Sequence, residues 1–213
     1  MPNEMSDAFV FFGATGDLAY KQIFPSLQRL IKDEGFNLPI IGVAKAGWSV
    51  DQLKARAKDS LEHYGGIDQA VFDKMAGLLR YVDGDYANAA TFTELRKQLG
   101  QAQRPLHYLA VPPSLFGTVA AGLAKSGCAT NARVVVEKPF GHNLSAAQQL
   151  NKTLHQFFPK KISTASTTIS AKSWCRTSCI HASRTRSSSR CGIATTFAVS
   201  RSRQVLRRNG RVA

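Results

Sequence analysis

Short, mostly apolar runs alternate with longer amphipathic patterns over the first 160 residues, and this alternation limits the fold more than any other feature. Runs that are apolar throughout are typical of strands buried on both faces. Strands separated by helical patterns indicate a parallel sheet covered by helices. The predicted strands are Ala8–Phe12, Pro39–Lys45, Leu79–Asp83, Leu106–Ala110 and Arg133–Glu137.

Apolar residues at helical spacing predict helices between these strands. The first helix, Leu18–Lys32, places Ile23, Leu27 and Leu30 on one face. The remaining predicted helices are Val50–Tyr64, Gln69–Leu78, Asn88–Leu99, Leu115–Lys125 and Ser145–Phe157. We therefore predict an α/β fold, a Rossmann-like doubly wound parallel sheet, over residues 1–159.

The composition changes at Pro159. The chain carries a formal net charge of +14, from 28 basic and 14 acidic residues, but no acidic residue follows Glu137. Residues 161–213 hold eleven lysines and arginines, whereas residues 1–160 carry a net charge of only +3. The segment 160–213 is rich in Ser, Thr and Arg and lacks hydrophobic periodicity, so we predict a disordered basic tail.

Several classes of protein are disfavoured. The apolar runs are far shorter than the roughly 20 residues that span a bilayer, so no membrane association is expected. Glu4 and Asp7 do not suit the start of a signal peptide, which favours the cytoplasm. Cys175, Cys179 and Cys191 lack the spacing of a metal site, so we predict free thiols and no metal.

A glycine turn joins the first strand to the first helix, over Gly13, Ala14, Thr15, Gly16, Asp17 and Leu18. Gly13 permits a tight turn, and Gly16 allows the backbone to approach a pyrophosphate. The helix N-terminus then offers unpaired N–H groups to that anion. We predict that residues 13–18 bind a dinucleotide, and an ordinary strand-to-helix turn is the alternative.

Lys45 ends the second strand and bears on the choice of cofactor. Domains that select NAD normally place Asp or Glu there, whereas a basic residue accommodates the 2′-phosphate of NADP. NADP is therefore the predicted cofactor, and a solvated surface lysine is the alternative.

Proline motifs end two further strands, Pro112-Pro113 after the fourth and Glu137-Lys138-Pro139 after the fifth. Ligands of such sheets bind at the carboxyl ends of the strands. Lys138 is therefore predicted to be a cation at the mouth of the crevice, and a lysine in a plain turn is the alternative.

Four segments, Gly13–Ala19, Ile23–Leu27, His107–Phe116 and Val134–Asn151, together closely resemble the glucose-6-phosphate dehydrogenase family. The resemblance covers about residues 8–159. It implies NADP-dependent oxidation of glucose 6-phosphate to 6-phosphogluconolactone, the entry to the pentose phosphate pathway. No specific nucleic acid is among the implied partners.

The resemblance also implies roles for residues. The glycine turn, Pro112, Pro113 and Glu137 would contact the cofactor, and Lys138 would lie between substrate and nicotinamide. The family commonly has Gly-Asp-Leu-Ala-x-Arg-Lys, whereas this chain places Gln22 at the last lysine, so Lys21 is the candidate substitute for substrate binding. The family often ends the second strand with Arg, and Lys45 lacks the planar fork of that side chain.

The tail is compatible with a second reading frame. Each residue fixes the first two bases of its codon, and those become the last two bases when the frame starts one base earlier. In that frame Ser163–Lys172 permit Ile-Tyr-Arg-Ile-Asp-His-Tyr-Leu-Gly-Lys, with which the family continues. We therefore hypothesise a frameshift near Pro159.

A shifted frame removes the family's catalytic histidine and the aspartate that orients it, and His142, His155 and His181 do not occupy the corresponding positions. The expected protein is a truncated, inactive domain that retains NADP binding and self-associates through exposed apolar surface. The alternatives are a non-catalytic NADP-binding regulatory module and a binder of nucleic acid or an acidic partner through the tail.

Overall fold

Parallel strands form one continuous sheet. The computed structural model describes residues 6–137, 156–158 and 162–165. The strands of this part are β1 Ala8–Phe12, β2 Ile40–Ala44, β3 Leu79–Asp83, β4 Pro105–Leu109, β5 Arg133–Glu137 and β6 Ile162–Ala165. They lie in the order β3-β2-β1-β4-β5-β6, and all neighbours are parallel. This is the strand order of doubly wound Rossmann sheets, so the predicted fold class is confirmed.

Helices connect the strands on both faces of the sheet. They are α1 Phe24–Glu34, α2 Val50–Tyr64, α3 Gln69–Leu78, α4 Ala89–Leu99 and α5 Phe116–Lys125. A 3₁₀ turn, Pro113–Leu115, precedes α5, and a π-helical turn, Ala19–Ile23, precedes α1. Among the helices that the structure describes, none is long and apolar enough to cross a membrane.

The π-helical turn divides what the sequence predicted as one regular helix. The cause is Pro25, which cannot donate a backbone hydrogen bond and whose ring crowds the carbonyl four residues earlier. The backbone widens instead, and the Phe24 N–H donates to the Ala19 carbonyl, five residues back. Hydrophobic spacing could not reveal this change of helix type.

The core lies on both faces of the sheet because strand side chains alternate. Phe9 and Phe11 pack with α1, α2 and α3, whereas Val10 and Phe12 pack with α4 and α5. Phe158 is also buried in the second of these clusters. The apolar strands predicted from the sequence are therefore covered on both sides.

One part of the predicted disordered tail forms a strand. β6 pairs with β5 from Val134 opposite Ile162 to Glu137 opposite Ala165. Strand pairing uses main-chain N–H and carbonyl groups, so an unpaired edge of β5 can accept a short segment whatever its evolutionary origin. The expectation of disorder was wrong for residues 162–165, because a composition averaged over the tail hides a four-residue strand.

Other predictions on the C-terminal part lie outside the described residues. They concern residues 145–155 of the predicted helix Ser145–Phe157, residues 160, 161 and 166–213 of the predicted tail, the histidines at 142, 155 and 181, and the cysteines at 175, 179 and 191. Residues 156 and 157 are helical, as predicted. The chain divides into the units Met1–His181 and Ala182–Ala213, and all described residues belong to the first. The predicted division at residue 159 stays a prediction.

Candidate dinucleotide site

The glycine turn lies where the strand order reverses. β1 pairs with β2 on one side and β4 on the other, and the connections leave in opposite directions from this point. Such a switch point opens a crevice at the carboxyl ends of the strands, where ligands of this fold bind. The turn Gly13–Gly16 starts directly at that edge.

Gly13 is required by the geometry of the turn. Its φ is +82°, a conformation that other residues rarely adopt. A Cβ at this position would lie 2.2 Å from the carbonyl oxygen of Ala110, the residue directly after β4. Because that oxygen belongs to the backbone, it cannot move aside easily. The turn therefore packs directly against the neighbouring strand across the switch point.

Hydrogen bonds to β2, to the Tyr86 hydroxyl and within the turn fix its shape. The Gly13 and Ala14 N–H groups donate to the Val43 carbonyl at 2.9 and 3.2 Å, and the Gly16 N–H donates to the Gly13 carbonyl at 3.0 Å. Gly13 N–H also donates to the Tyr86 hydroxyl at 3.0 Å. The early N–H groups of the turn are thus used to hold its shape.

The helix that follows the turn begins without a side-chain cap. The helical backbone begins at Asp17, and the Tyr20 N–H donates to the Gly16 carbonyl at 3.1 Å, so the helix is preceded by Gly16, which has no side chain to cap it. By contrast, Ser49, Asp68 and Asn88 cap α2, α3 and α4 with their side chains. The first N–H groups of a helix have no intrahelical partner, so this helix start can receive an anion. Thr15 and Leu18 are half-buried and Gly16 and Asp17 exposed around it.

Lys45 follows β2 at the same edge and is already paired. Its ammonium donates to an Asp85 carboxylate oxygen at 2.7 Å, and 70% of its side chain is exposed. The hydrogen bond to Asp85 raises the pKa of Lys45. The hydrogen bond from the Ala87 backbone N–H is the main cause that lowers the pKa of the Asp85 carboxyl, and the hydrogen bond from Lys45 lowers it further. Sequence reasoning placed Lys45 correctly at the edge but missed its acidic partner.

Asp83 ends β3 and holds the loop that follows β2. Its carboxylate accepts hydrogen bonds from the Ala46 and Gly47 N–H groups at 3.0 and 2.8 Å, and from the Tyr81 hydroxyl at 2.9 Å. The bond from Ala46 leads the causes that lower the pKa of Asp83. The sequence carries a signal for these contacts, because Asp83 and Asp85 stand at the carboxyl end of the strand beside β2.

Lys21 lies in the π-helical turn close to the glycine turn. Its ammonium donates to an Asp17 carboxylate oxygen at 3.3 Å, and half of its side chain is exposed. The neighbouring Gln22 is half-buried, and its side-chain oxygen has no hydrogen-bond partner among the described residues. The structure thus brings Lys21 to the turn, while its predicted contact with substrate stays a prediction.

Pro112 and Pro113 are exposed at the carboxyl end of β4. Val111, just before them, would lie 3.5 Å from a Cβ on Gly13, so the proline segment and the glycine turn face the same crevice. Glu137 ends β5 at this edge of the sheet. The Glu137 side chain and all of Lys138 lie outside the described residues, so their predicted roles stay predictions.

Strand order, glycine turn and uncapped helix start define the class of Rossmann-like nucleotide-binding folds. Residues 10–162 match the family described as glucose-6-phosphate dehydrogenase, NAD binding domain. The chain belongs to this family, as the resemblance of its motifs implied.

Individual relatives agree with the family match. The chain is 45% identical over 149 residues to glucose-6-phosphate 1-dehydrogenase 1 of Mycobacterium tuberculosis, covering 70% of this chain and 32% of the relative. It is 36% identical over 173 residues to the Saccharomyces cerevisiae glucose-6-phosphate 1-dehydrogenase, covering 74% and 34%. The chain thus spans about a third of the length of these relatives.

Solved structures give the same result. The glucose-6-phosphate 1-dehydrogenase of Mycobacterium avium superposes with a TM-score of 0.72 and 42% identity, over 76% of this chain and 36% of that one. A glucose-6-phosphate dehydrogenase in complex with its substrate glucose 6-phosphate gives a TM-score of 0.67 and 30% identity, over 76% and 37%.

Proposed function

We propose that this chain is the NADP-binding domain of a glucose-6-phosphate dehydrogenase. The observation that carries the proposal is the helix start that follows the Gly13 turn and has no side-chain cap. It lies at the switch point between β1 and β4, in a chain that belongs to this family. The residues present fit a dinucleotide, because the turn is held by Val43 and Tyr86 while the helix start offers N–H groups to a diphosphate.

The proposed placement of NADP follows from these groups. Residues 15–18 receive the pyrophosphate, Lys45 lies toward the 2′-phosphate, and Pro112 and Pro113 line the nicotinamide side. When bound, NADP supplies a hydride acceptor at its nicotinamide. The whole enzyme would oxidise glucose 6-phosphate to 6-phosphogluconolactone in the cytoplasm, with Lys138 and Lys21 near the substrate.

We further propose that this chain alone does not catalyse the reaction. Removal of the C1 hydroxyl proton needs a base such as a histidine oriented by a carboxylate. The motif that would supply the carboxylate is permitted only by the shifted frame of the tail. Independent sequencing of the genomic locus tests this point, and a locus without a downstream dehydrogenase frame would refute the frameshift.

Titration of the full chain with NADP tests the cofactor proposal. Binding to the folded state stabilises it by about 2.7 kcal/mol at one hundred times the dissociation constant, so the melting temperature should rise by several degrees. NAD at the same concentration should give a smaller rise. A chain that shows no shift with either nucleotide would refute the proposed function.

Deletion of residues 166–213 separates this function from binding of an anionic partner by the tail. The deletion keeps β6, and the shift with NADP should persist. Loss of the shift would contradict a cofactor site built from residues 8–137. A duplex DNA titration of the full chain serves as the control, because the basic tail predicts only weak, salt-sensitive binding.

A further inference from the structure

A guanidinium group lies over two aromatic rings beside the proposed cofactor crevice. The Arg56 Cζ lies 4.6 Å from the centroid of the Tyr20 ring and 5.8 Å from that of the Trp48 ring. Among the described residues Arg56 has no ion-pair or hydrogen-bond partner, and its Nε is buried without one. A cation held in this way keeps its charge and donors for a ligand.

The two rings come from the two segments that border the crevice. Tyr20 follows Gly16 by four residues, and Trp48 follows the last residue of β2 by four. α2 lies close to the same turn, because a Cβ on Gly42 would be 2.9 Å from both Ala14 Cβ and Leu53 Cδ2. Arg56 is three residues after Leu53 and therefore lies near it on the helix surface.

The stack is fixed on the Tyr20 side. The Tyr20 hydroxyl donates to an Asp59 carboxylate oxygen at 2.5 Å, which raises the pKa of Tyr20 to about 12. The Tyr64 ring packs edge-on against Tyr20 at 5.6 Å, and the Ser60 hydroxyl donates to the Tyr20 carbonyl. The Asp59 carboxylate accepts a hydrogen bond from Tyr20 and lies 3.5 Å from His63 Nδ1, and among the described residues it forms no ion pair with Arg56.

Lys45 alone is poorly suited to bind a 2′-phosphate. Its ammonium is paired with Asp85, and it lacks the planar fork that binds a phosphate through two parallel hydrogen bonds. Arg56 has that planar fork, and its guanidinium lies over the Tyr20 and Trp48 rings. We propose that Arg56, whose guanidinium lies over the Tyr20 and Trp48 rings, is a second cation, beside Lys45, that selects the 2′-phosphate of NADP. This inference rests on the proposed function and assigns a specificity determinant within its site.

Calorimetric titration of the full chain with 2′,5′-ADP and 5′-AMP tests the assignment, since the two probes differ by the 2′-phosphate. Arg56→Met should weaken 2′,5′-ADP at least tenfold and change 5′-AMP less than twofold. Lys58→Met is the matched control, because it removes the same charge from an exposed position on the same helix. It should change either probe less than twofold.

Equal weakening of both probes by Arg56→Met, or no weakening, would overturn the assignment. If Arg56→Met does not fold, Arg56→Lys keeps the charge without the fork and should still weaken 2′,5′-ADP by threefold or more, while an unchanged affinity would refute the role. A wild-type chain that binds neither NADP nor 2′,5′-ADP would instead refute the proposed function itself. The two failures are therefore distinguishable.

Discussion

The phenol oxygen of Tyr86 lies 3.0 Å from the backbone nitrogen of Gly13, 73 residues earlier, and accepts its hydrogen bond. The same hydroxyl donates to the Val43 carbonyl at 3.2 Å. The Tyr86 ring also packs edge-on against Phe12 at 5.8 Å. One side chain beyond β3 therefore joins β1, β2 and the glycine turn, and burial raises its pKa, which keeps the hydroxyl protonated.

Tyr86→Phe tests that connection. The change removes two hydrogen bonds and keeps the ring in the core, so the free energy of unfolding should fall by about 1 kcal/mol. The affinity for NADP should fall severalfold because the turn loses one anchor. Urea denaturation and calorimetry measure the two effects. Tyr64→Phe on α2 is the control, and a stability loss without any change in affinity would limit Tyr86 to a structural role.

Gly13→Ala should abolish cofactor binding. The substitution combines a φ of +82° with a 2.2 Å contact to the Ala110 carbonyl, so about 2–5 kcal/mol of stability should be lost. Gly35→Ala is the matched control, since Gly35 also has a positive φ, +65°, but no atom within 4 Å of the added methyl. The control should cost about 1 kcal/mol and leave NADP affinity intact. Equal effects of both variants on binding would contradict the role of the close approach.

Asp85→Asn should increase the preference for NADP over NAD. The change removes the carboxylate that pairs with the Lys45 ammonium. The amide oxygen of asparagine can still accept from the Ala87 N–H, whose nitrogen lies 2.9 Å from Asp85 Oδ1 in the wild type. Loss of the carboxylate also removes repulsion of a 2′-phosphate, so the affinity ratio should rise about two- to fivefold. Paired titrations with both nucleotides measure the ratio, with Asp73→Asn on α3 as the control. A lower ratio would place the 2′-phosphate away from Lys45.

His107 should make stability depend on pH. It is fully buried in β4, its Nε2 lies 2.8 Å from the Cys128 carbonyl oxygen and its Nδ1 has no partner among the described residues. Burial lowers its pKa to about 4 from 6.5. Between these values the unfolded chain binds more protons than the folded one. The free energy of unfolding should therefore fall as the pH drops from 6.5 toward 4, by up to about 1.4 kcal/mol per pH unit.

The variant His107→Gln isolates this contribution. Glutamine keeps a donor for the Cys128 carbonyl but does not titrate. As the pH drops, the free energy of unfolding of the variant should therefore fall less steeply than that of the wild type. Denaturation curves at pH 5 and pH 7 give the difference. Identical slopes for His107→Gln and wild type would show that folding does not lower the pKa of His107.

The sequence determined the elements because their signals are local. Apolar runs and helical spacing placed β1, β3, β5, α2 and α3 at the observed residues, since these segments must bury one or both faces. The glycine turn could be predicted for the same reason. The π-helical turn at Ala19–Ile23 could not, because it results from the crowding of Pro25 against its own helix.

Only the tertiary structure decided which groups meet. The contacts of Gly13 with Tyr86, Lys45 with Asp85 and Arg56 with the Tyr20 and Trp48 rings join residues from different elements, and their spacing in the chain carries no periodic signal. The strand at residues 162–165 likewise depends on a partner distant in the chain, because it pairs with the main-chain groups of β5, and the composition of the tail does not predict it. The chain specifies its elements through local hydrophobic pattern, whereas parallel pairing of distant strands brings the site's charges and hydrogen bonds together.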